Sequence, residues 1–171
     1  HAPGLYGGDP DLSLDAGDPV RPDSYYGTSK AFGEDLGRQY VETEPHPTRF
    51  YALRLCSVRS VRYDHPYGDA ERTVDAGETT RGSEAYDRAA ARMRAMWHSR
   101  RDFAAEVACC LDDERVEYGV FAGVSDNPTR WFSLADARDR LGYDPADDGS
   151  AATEPATGDF DAVHPGREPL R

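Results

Sequence analysis

Helical and extended segments alternate along this chain, and the alternation limits the folds that it can adopt. Residues 25–43 carry apolar side chains at helical spacing, and residues 50–58 form a short, mostly apolar run. Such a run is typical of a strand buried in a parallel sheet. Residues 99–111 then indicate a second helix, 118–125 a second strand and 133–142 a short helix. This order predicts an α/β fold that contains the second half of an alternating sheet.

The ends of these helices carry local signals. Asp23 or Ser24 is the expected N-cap of the first helix, and Pro45 and Pro47 end it. Its apolar positions are Phe32, Leu36, Tyr40 and Val41. In the second helix Ser99 is the expected cap, and one apolar stripe is predicted at Phe103, Val107 and Leu111. The third helix is expected to start from a serine cap at Ser133 and to end at Gly142.

Two stretches carry neither a helical nor a strand period. Residues 59–90 are rich in Gly, Asp, Arg and Thr, and we predict an irregular surface insertion there, because structureless stretches of this length are unusual within a domain. The composition after residue 148 predicts a disordered tail over 149–171. The folded domain is therefore expected to span residues 1–148, with residues 1–22 as a loop that leads into the first helix.

The charge balance is acidic, with 32 Asp and Glu residues against 20 Lys and Arg residues and a net charge of −12. A nucleic-acid-binding protein needs a basic face, so this composition argues against that class. An aspartate-rich chain with a single lysine resembles the cytoplasmic proteins of halophiles, in which high salt screens the self-repulsion. An ordinary acidic protein from a high-GC organism is the alternative.

The three cysteines do not form a pattern that indicates a disulfide framework or a metal site. Cys109 and Cys110 are adjacent, Cys56 is distant from both, and no CxxC spacing occurs. We expect small buried side chains in a reducing cytoplasm, and no bound metal. No apolar run approaches the roughly 18 residues of a membrane-spanning helix, so no membrane partner is expected.

Lys30 is the only lysine of the chain, and it lies four residues after Tyr26. In a helix this spacing places both side chains on one face, one turn apart. An ammonium near a phenol favours the phenolate, which can take a proton from a substrate hydroxyl while hydride leaves the same carbon for a nicotinamide. Ten tyrosines in 171 residues would produce this spacing by chance about once in seventeen cases.

The segment Tyr26-Gly-Thr-Ser-Lys30 and its flanks resemble the catalytic helix of the extended short-chain dehydrogenases/reductases, the NAD-dependent epimerase/dehydratase family. Residues 1–6, 52–57, 92–97 and 123–127 are also similar to the uronate dehydrogenases and haloarchaeal NAD-dependent sugar and glucose-6-phosphate dehydrogenases of that family. The likeness covers most of residues 1–148. It implies that the chain is the C-terminal part of a Rossmann-like, doubly wound parallel sheet, and that the N-terminal cofactor half is missing.

The resemblance also implies roles for individual residues. Tyr26 would be the catalytic acid/base, and Lys30 would be its partner and a ligand of the cofactor ribose. Leu55, Cys56 and Ser57 would lie along the cofactor, with Ser57 beside both the nicotinamide and the substrate. The implied cofactor is NAD, and NADP stays open because the residue that reads the adenosine ribose precedes this sequence in the family.

His1 and Arg92 complete the implied substrate site. His1 would contact the substrate, and Arg92 would hold a carboxylate or phosphate by paired hydrogen bonds. A solvated arginine at the end of a helix is the plain alternative for Arg92. Cys56 stands where the family has a glycine close to the cofactor, which adds bulk there.

The expected reaction is the oxidation of the C1 hydroxyl of a sugar, sugar phosphate or hexuronate to a lactone. A nucleotide-sugar epimerase or dehydratase uses the same Tyr/Lys pair, and a non-catalytic truncated remnant is a third hypothesis. Since the sequence contains no glycine-rich phosphate-binding turn, we expect the isolated chain to be inactive and not to bind NAD tightly. The intact protein is expected to be a homodimer through the helix that carries Tyr26.

Overall fold

The computed structural model describes residues 13–45 and 48–150. The helices are α1 (Tyr25–Thr43), α2 (Gly68–Asp75), α3 (Glu84–Met96) and α4 (Arg100–Asp112). Strands β1 (Phe50–Leu55) and β2 (Tyr118–Gly123) pair with each other in a parallel sheet. The predicted α/β class is confirmed, and the described residues contribute two strands to the sheet.

The chain divides into two compact units. The sheet unit contains the described residues up to 54, together with 105–123 and 131–144. The helical unit contains residues 55–104, 124–130 and the described residues from 145 onward. The sheet unit therefore holds α1, β2 and all of β1 except its last residue, Leu55, and the helical unit holds α2 and α3.

Helix α1 begins and ends at the predicted residues. Ser24 is its N-cap, since Ser24 Oγ accepts a hydrogen bond of 3.2 Å from the Gly27 N–H. Gly37 is the buried residue of α1, and a Cβ there would lie 2.3 Å from the ring of Phe50. The glycine thus lets α1 approach β1 closely. Phe50 in turn stacks on Tyr118 of β2, with the ring centroids 6.1 Å apart.

In the helical unit, the segment after β1 pairs with the end of α3. The Ser57 N–H donates to the Met96 carbonyl at 2.7 Å, and the His98 N–H donates to the Ser57 carbonyl at 3.2 Å. The buried carboxylate of Asp64 accepts from Trp97 Nε1 at 3.1 Å and from the first N–H of α4 at 3.2 Å. These bonds fix residues 57–64 against the junction of α3 and α4.

The prediction of irregular structure over residues 59–90 is wrong. The segment contains a 3₁₀ turn at Val61–Tyr63, all of α2 and the first half of α3. Ala70, Glu71 and Tyr86 are buried within it, and the Tyr86 hydroxyl donates to Glu71 at 2.7 Å. A buried carboxylate interrupts the apolar period, which explains why the sequence does not indicate helices here. An insertion relative to the family stays a prediction.

The predicted apolar stripe of the second helix is wrong at Leu111, whereas Phe103 and Val107 are half-buried and the cap is confirmed. Ser99 Oγ accepts a hydrogen bond of 3.0 Å from the Asp102 N–H at the start of α4. Leu111 is 80% exposed, whereas Asp102 and Glu106 are buried. The fully buried side chains of this helix are therefore polar, and the apolar Phe103 and Val107 are half-buried.

The remaining predictions have mixed outcomes. Residues 137–141 form a π-helical turn that Gly142 closes with a φ of 72°, which confirms the closing glycine. The three cysteines are half-buried rather than buried, and none of them is in a disulfide. Within the predicted tail, Gly149 is buried near the Arg94 carbonyl, and residues 151–171 lie outside the described residues.

Candidate active site

Tyr26 and Lys30 lie together on the first turns of α1. The Lys30 ammonium lies over the ring of Tyr26, with Nζ 5.1 Å from the ring centroid. Tyr26 is 70% exposed, and Lys30 is exposed as well. The phenol and the ammonium therefore occupy one face of the helix, where a ligand from solvent can reach both.

The local sequence holds this turn in place. Ser24 caps the helix, and the Thr28 hydroxyl donates to the Ser24 carbonyl at 3.0 Å. The Ser29 hydroxyl donates to the Tyr26 carbonyl at 2.7 Å. Because the first turn of a helix otherwise frays, these bonds help to fix the backbone from which Tyr26 projects.

The packing of α1 on β1 shows where this turn lies relative to the sheet. Gly37 packs against Phe50 at the start of β1, whereas Glu34 forms a two-pronged ion pair with Arg54 near the end of the strand, with both distances 2.9 Å. The helix therefore runs antiparallel to the strand. Its N-terminal turns, with Lys30 and Tyr26, extend past the carboxyl end of β1, which is the end where open α/β sheets bind ligands.

The sequence-predicted residues Leu55, Cys56 and Ser57 lie at the end of β1 and directly after it. Leu55 ends the strand and is 42% exposed, and the other two side chains are half-buried. Arg59 Nη2 donates a long hydrogen bond of 3.4 Å to Ser57 Oγ. The structure thus gives Ser57 a cationic neighbour within the helical unit.

Arg92 lies on α3, one turn before Met96, and its side chain is exposed. Its charge acts on the carboxylate of Asp69 in the same unit. His1, the other predicted substrate contact, lies outside the described residues. The exposed position of Arg92 suits a role in binding an anion as well as the alternative of a solvated arginine.

Sequence reasoning missed the ion pair between Arg59 and Asp69. Arg59 Nε and Nη2 donate to the two carboxylate oxygens of Asp69, at 2.6 and 2.8 Å. Burial alone would raise the pKa of Asp69, but the hydrogen bonds and charge of Arg59 lower it below its ordinary value. No local signal marks this pair, because its members lie ten residues apart across a turn.

Two buried titratable groups were also missed. Burial lowers the pKa of His98 to about 4 and raises the pKa of Glu106 to about 7. Both side chains are 0% exposed. Neither is a candidate in the sequence, since nothing near a single histidine or glutamate indicates its burial.

A cavity of about 410 Å³ lies in the sheet unit, at the other end of α1. It is lined by Arg38, Val41, Glu42, Arg115, Val116, Glu117, Tyr118 and Arg140. Tyr26 and Lys30 do not line it. In the part of the chain that the structure describes, no three His, Cys, Asp or Glu side chains are grouped to hold a metal ion. No helix among the described residues is long and apolar enough to cross a bilayer.

Comparison with known proteins gives several relatives, although no family model matches the sequence. The chain is 30% identical over 151 residues to an NAD-dependent glucose-6-phosphate dehydrogenase of Haloferax volcanii, in an alignment that covers 88% of this chain and 48% of the relative. It is 30% identical over 135 residues to a uronate dehydrogenase of Pseudomonas syringae pv. tomato, covering 79% and 38%.

Solved structures show a similar fold. A mutant uronate dehydrogenase from Agrobacterium tumefaciens, complexed with NAD, superposes with a TM-score of 0.60 at 22% identity, over 88% of this chain and 49% of that one. A glucuronic acid dehydrogenase from Chromohalobacter salexigens superposes with a TM-score of 0.59 at 23% identity, over 90% and 50%.

The chain spans about half the length of the first of these relatives, since it covers 48% of that protein. Its fold matches a similar share, 49%, of a solved uronate dehydrogenase. The α/β sheet of this chain therefore corresponds to part of a Rossmann-like uronate dehydrogenase fold. The chain is a homologue of NAD-dependent glucose-6-phosphate dehydrogenase and uronate dehydrogenase.

Proposed function

We propose that this chain belongs to an NAD(P)-dependent dehydrogenase of the extended short-chain type that oxidises the C1 hydroxyl of a sugar, sugar phosphate or hexuronate to a lactone. The observation that carries the proposal is the Lys30 ammonium over the Tyr26 ring, at 5.1 Å, on an exposed helical turn past the carboxyl end of β1. Homology to NAD-dependent sugar and uronate dehydrogenases supports the reaction class.

Tyr26 is the proposed acid/base. Its phenolate accepts the proton of the C1 hydroxyl while the C1–H bond breaks and the C1–O bond becomes a carbonyl, which gives the lactone. Lys30 stabilises the phenolate by its positive charge, which is why an arginine, with its larger and more diffuse cation, is a poor substitute. The exposure of Tyr26 is compatible with this role, because the hydroxyl must meet a substrate that arrives from solvent.

The proposed cofactor is NAD, with NADP as the alternative, and it accepts the hydride from C1. The residues present suit its nicotinamide end. The Lys30 ammonium offers three N–H donors, which fit the neighbouring hydroxyls of a ribose. Leu55, Cys56 and Ser57 are the further residues proposed to lie along the cofactor. Ser57 and Arg92, together with His1, are the proposed substrate ligands.

The test is to incubate the protein, as its gene encodes it, with NAD or NADP and a panel of glucose 6-phosphate, galacturonate and neutral aldoses. NADH or NADPH formation, followed by absorbance, is expected with at least one of them. NMR of the products should show a lactone. Reduced cofactor with no lactone would contradict C1 oxidation, and a product that is an epimer, with no net reduction of the cofactor, would favour the epimerase hypothesis instead.

We also propose that the intact protein is a homodimer through α1. Phe32 and Tyr40 are 65% and 48% exposed on this helix, and Leu36 lies between them at the same spacing. A stripe of exposed apolar residues on one helix face is typical of an interface. Sedimentation of the Leu36→Glu variant should show a monomer, whereas Glu42→Gln, on the same helix, should leave the dimer intact. A wild-type monomer at micromolar concentration would contradict the proposal.

The acidic composition supports a cytoplasm of high salt as the place of action. With a net charge of −12, self-repulsion destabilises the folded state, and salt screens it over about 3 Å at 1 M. The melting temperature is therefore expected to rise when KCl is raised from about 0.1 to 2 M. A melting temperature that is independent of KCl would favour the ordinary acidic protein.

A further inference from the structure

The cavity in the sheet unit brings together three arginines from distant positions in the sequence. Arg38 lies on α1, Arg115 precedes β2, and Arg140 lies in the π-helical turn. The cavity has a volume of about 410 Å³, which is within the usual range of roughly 300–1,000 Å³ for small-molecule sites. In a chain whose net charge is −12, a wall that holds three arginines concentrates positive charge at one place.

The three arginines are held in position by contacts that converge on Tyr118. Arg115 Nη2 donates to the Arg140 carbonyl at 2.6 Å, and Arg140 Nη2 donates to the Tyr118 carbonyl at 3.0 Å. The Arg38 guanidinium lies over the Tyr118 ring, with Cζ 4.1 Å from the ring centroid. The Tyr118 hydroxyl donates to the Glu34 carbonyl on α1 at 3.1 Å. Because these groups are ordered before a ligand arrives, binding costs less side-chain entropy.

The contacts that position the arginines leave most of their charge uncompensated. A carbonyl oxygen or an aromatic ring orients a guanidinium but carries no net charge. Arg38 has no carboxylate of the described residues within salt-bridge distance. Arg115 lies 3.3 Å from Asp113 and Arg140 lies 3.9 Å from Asp136, both longer than the roughly 2.7–2.9 Å of a strong charge-assisted hydrogen bond. The cavity can therefore accept negative charge from a ligand.

Two glutamates also line the cavity, and they limit the kind of anion that can bind. Glu42 and Glu117 are exposed there, so the lining carries three positive and two negative charges. An anion that contacts a single arginine gains little over the repulsion of the glutamates. A ligand with several charged oxygens can contact Arg38 and the Arg115–Arg140 side together, and the cavity therefore favours it.

The cavity is too far from Tyr26 to be part of the proposed catalytic site. Tyr26 and Arg38 are twelve residues apart on α1, which corresponds to about 18 Å along the helix axis. Tyr118 is the first residue of β2, whereas open α/β sheets bind their substrates at the carboxyl ends of the strands. A ligand in this cavity is therefore not the sugar that Tyr26 would oxidise.

We propose that this cavity is a second ligand site, and that it binds a small oxyanion of two or more charges, of the polycarboxylate or phosphate class. Guanidinium groups donate paired, charge-assisted hydrogen bonds to the oxygens of both classes. Arg38 contacts the anion from the helix side. Arg115 and Arg140 contact it from the side of the strand and the π-helical turn.

Calorimetric titration of the full chain with citrate, inorganic phosphate and acetate in about 0.1 M KCl tests the site. At least one of citrate and phosphate is expected to bind saturably, and acetate, with its single charge, at least about tenfold more weakly. The tighter of the two multivalent anions identifies the class of the ligand. Failure of both to saturate the protein overturns the proposal, and so does acetate binding as tightly as either.

Arg38→Gln is expected to weaken binding of that anion about tenfold, because one of the three guanidinium contacts is lost. Arg88→Gln is the matched control, since it removes one charge from an exposed helical position on α3, where Arg88 pairs with Glu84. This control should keep the wild-type affinity, and both variants should stay folded in melting curves. Equal weakening by the two substitutions would indicate unspecific attraction and would overturn the proposal.

Glu117→Gln should change the affinity in the opposite direction. It removes one of the two negative charges that line the cavity, so the anion is expected to bind about threefold more tightly. Glu78→Gln makes the same change at an exposed position of the helical unit and should have no effect. Damage to the fold would not tighten binding, so this readout separates recognition from a structural role. Unchanged or weaker binding in Glu117→Gln overturns the assignment.

Arg92 marks the other place where an anion could bind, because it is a proposed substrate ligand. Binding of the multivalent anion should persist in Arg92→Gln and weaken in Arg38→Gln. The reverse pattern would place the anion at the proposed substrate site and overturn the second site. These titrations use neither sugar nor NAD, so their outcome is separate from that of the dehydrogenase proposal.

Discussion

Helices α1 and α4 differ in the residues that they bury and in those that they expose. On α1, the apolar residues Phe32 and Tyr40 are exposed, and the residue buried against the sheet is Gly37. On α4, the carboxylates of Asp102 and Glu106 are buried and Leu111 is exposed. Helical spacing thus predicts both helices, but it does not show which face of either one is covered.

This difference indicates what each helix packs against. The exposed apolar residues and the exposed Tyr–Lys pair of α1 are suited to contact with a second chain and with a ligand. In α4, the first carboxylate is satisfied within the helical unit: Asp102 accepts from Ser125 Oγ at 2.6 Å and from the N–H groups of Ala146 and Asp147 at 2.9 and 3.1 Å. We therefore expect changes on α1 to affect activity and assembly, and changes on α4 to affect stability.

The largest effect is expected from Tyr26→Phe on α1. Removing the phenolic oxygen removes the proposed acid/base, so kcat should fall about 10³-fold, within the usual range for general acid–base catalysis. The melting temperature should not change, because the ring is exposed and its hydroxyl is not needed for packing. Steady-state kinetics on the glucose 6-phosphate or hexuronate that serves as substrate measure the effect.

Tyr25→Phe is the matched control, since the neighbouring tyrosine is 98% exposed and has no proposed role. Its kcat should equal that of the wild type. A Tyr26→Phe enzyme that keeps more than about a tenth of the wild-type kcat would remove Tyr26 from the proton transfer.

The second largest effect is expected from Glu106→Gln on α4, which should change how the free energy of unfolding depends on pH. Burial raises the pKa of Glu106 to about 7, from an ordinary value of 4.5. The folded state therefore binds a proton more tightly than the unfolded state, and this contribution to stability is lost as the pH rises from 4.5 to about 7. The wild type should lose about 3 kcal/mol in this way, an order-of-magnitude value. Gln, which stays neutral, should be more stable than Glu above neutral pH.

The change of stability with pH that His98 contributes has the opposite sign, so His98 serves as an internal control. Burial lowers its pKa to about 4 from 6.5, so the unfolded state binds more protons and stability rises with pH through this window. In Glu106→Gln, the free energy of unfolding should therefore rise between pH 4 and 6.5 and then level off. Urea unfolding at several pH values measures this. A variant whose stability falls between pH 6.5 and about 7, as expected for the wild type, would show that Glu106 is not the titrating group.

Asp102→Asn is expected to cost about 2 kcal/mol of unfolding free energy. The carboxylate accepts three hydrogen bonds, from Ser125, Ala146 and Asp147. In Asn one of the two oxygens is replaced by an NH₂ group, which cannot accept a hydrogen bond from these donors. Asp87→Asn, on an exposed position of α3, makes the same chemical change and should cost less than about 0.5 kcal/mol. Equal urea midpoints for the two variants would show that the buried network does not stabilise the fold.

The elements that the sequence predicts well are those with local signals. The cap at Ser24 and the prolines after Thr43 define α1, and a glycine in the left-handed region closes the last helical turn at Gly142. The apolar runs predict the start of both strands correctly, at Phe50 and Tyr118. The predicted strands extend two or three residues beyond the observed ends at Leu55 and Gly123. Local chemistry determines these positions, so no tertiary information is needed.

The elements that it misses depend on contacts between distant residues. Nothing near Asp102 in the sequence indicates that Ser125 and the backbone at Ala146 will surround it. The residues of the candidate site can likewise be divided into those that the sequence predicts and those that it does not. Tyr26 and Lys30 are recognisable from their spacing on one helix, whereas the ion pair of Arg59 and Asp69 depends on how residues 59–69 fold back on themselves.

The smallest effect is expected where prediction and structure disagree most directly, at Leu111. This residue was expected on the buried stripe of α4, but it is 80% exposed. Leu111→Ala should therefore change the unfolding free energy by less than about 0.5 kcal/mol. Leu134→Ala, at a position that is 1% exposed, should cost about 2–5 kcal/mol because it leaves a cavity. If Leu111→Ala costs more than about 1 kcal/mol only at protein concentrations where the chain self-associates, then α4 as well as α1 uses its exposed apolar residues to meet a second chain.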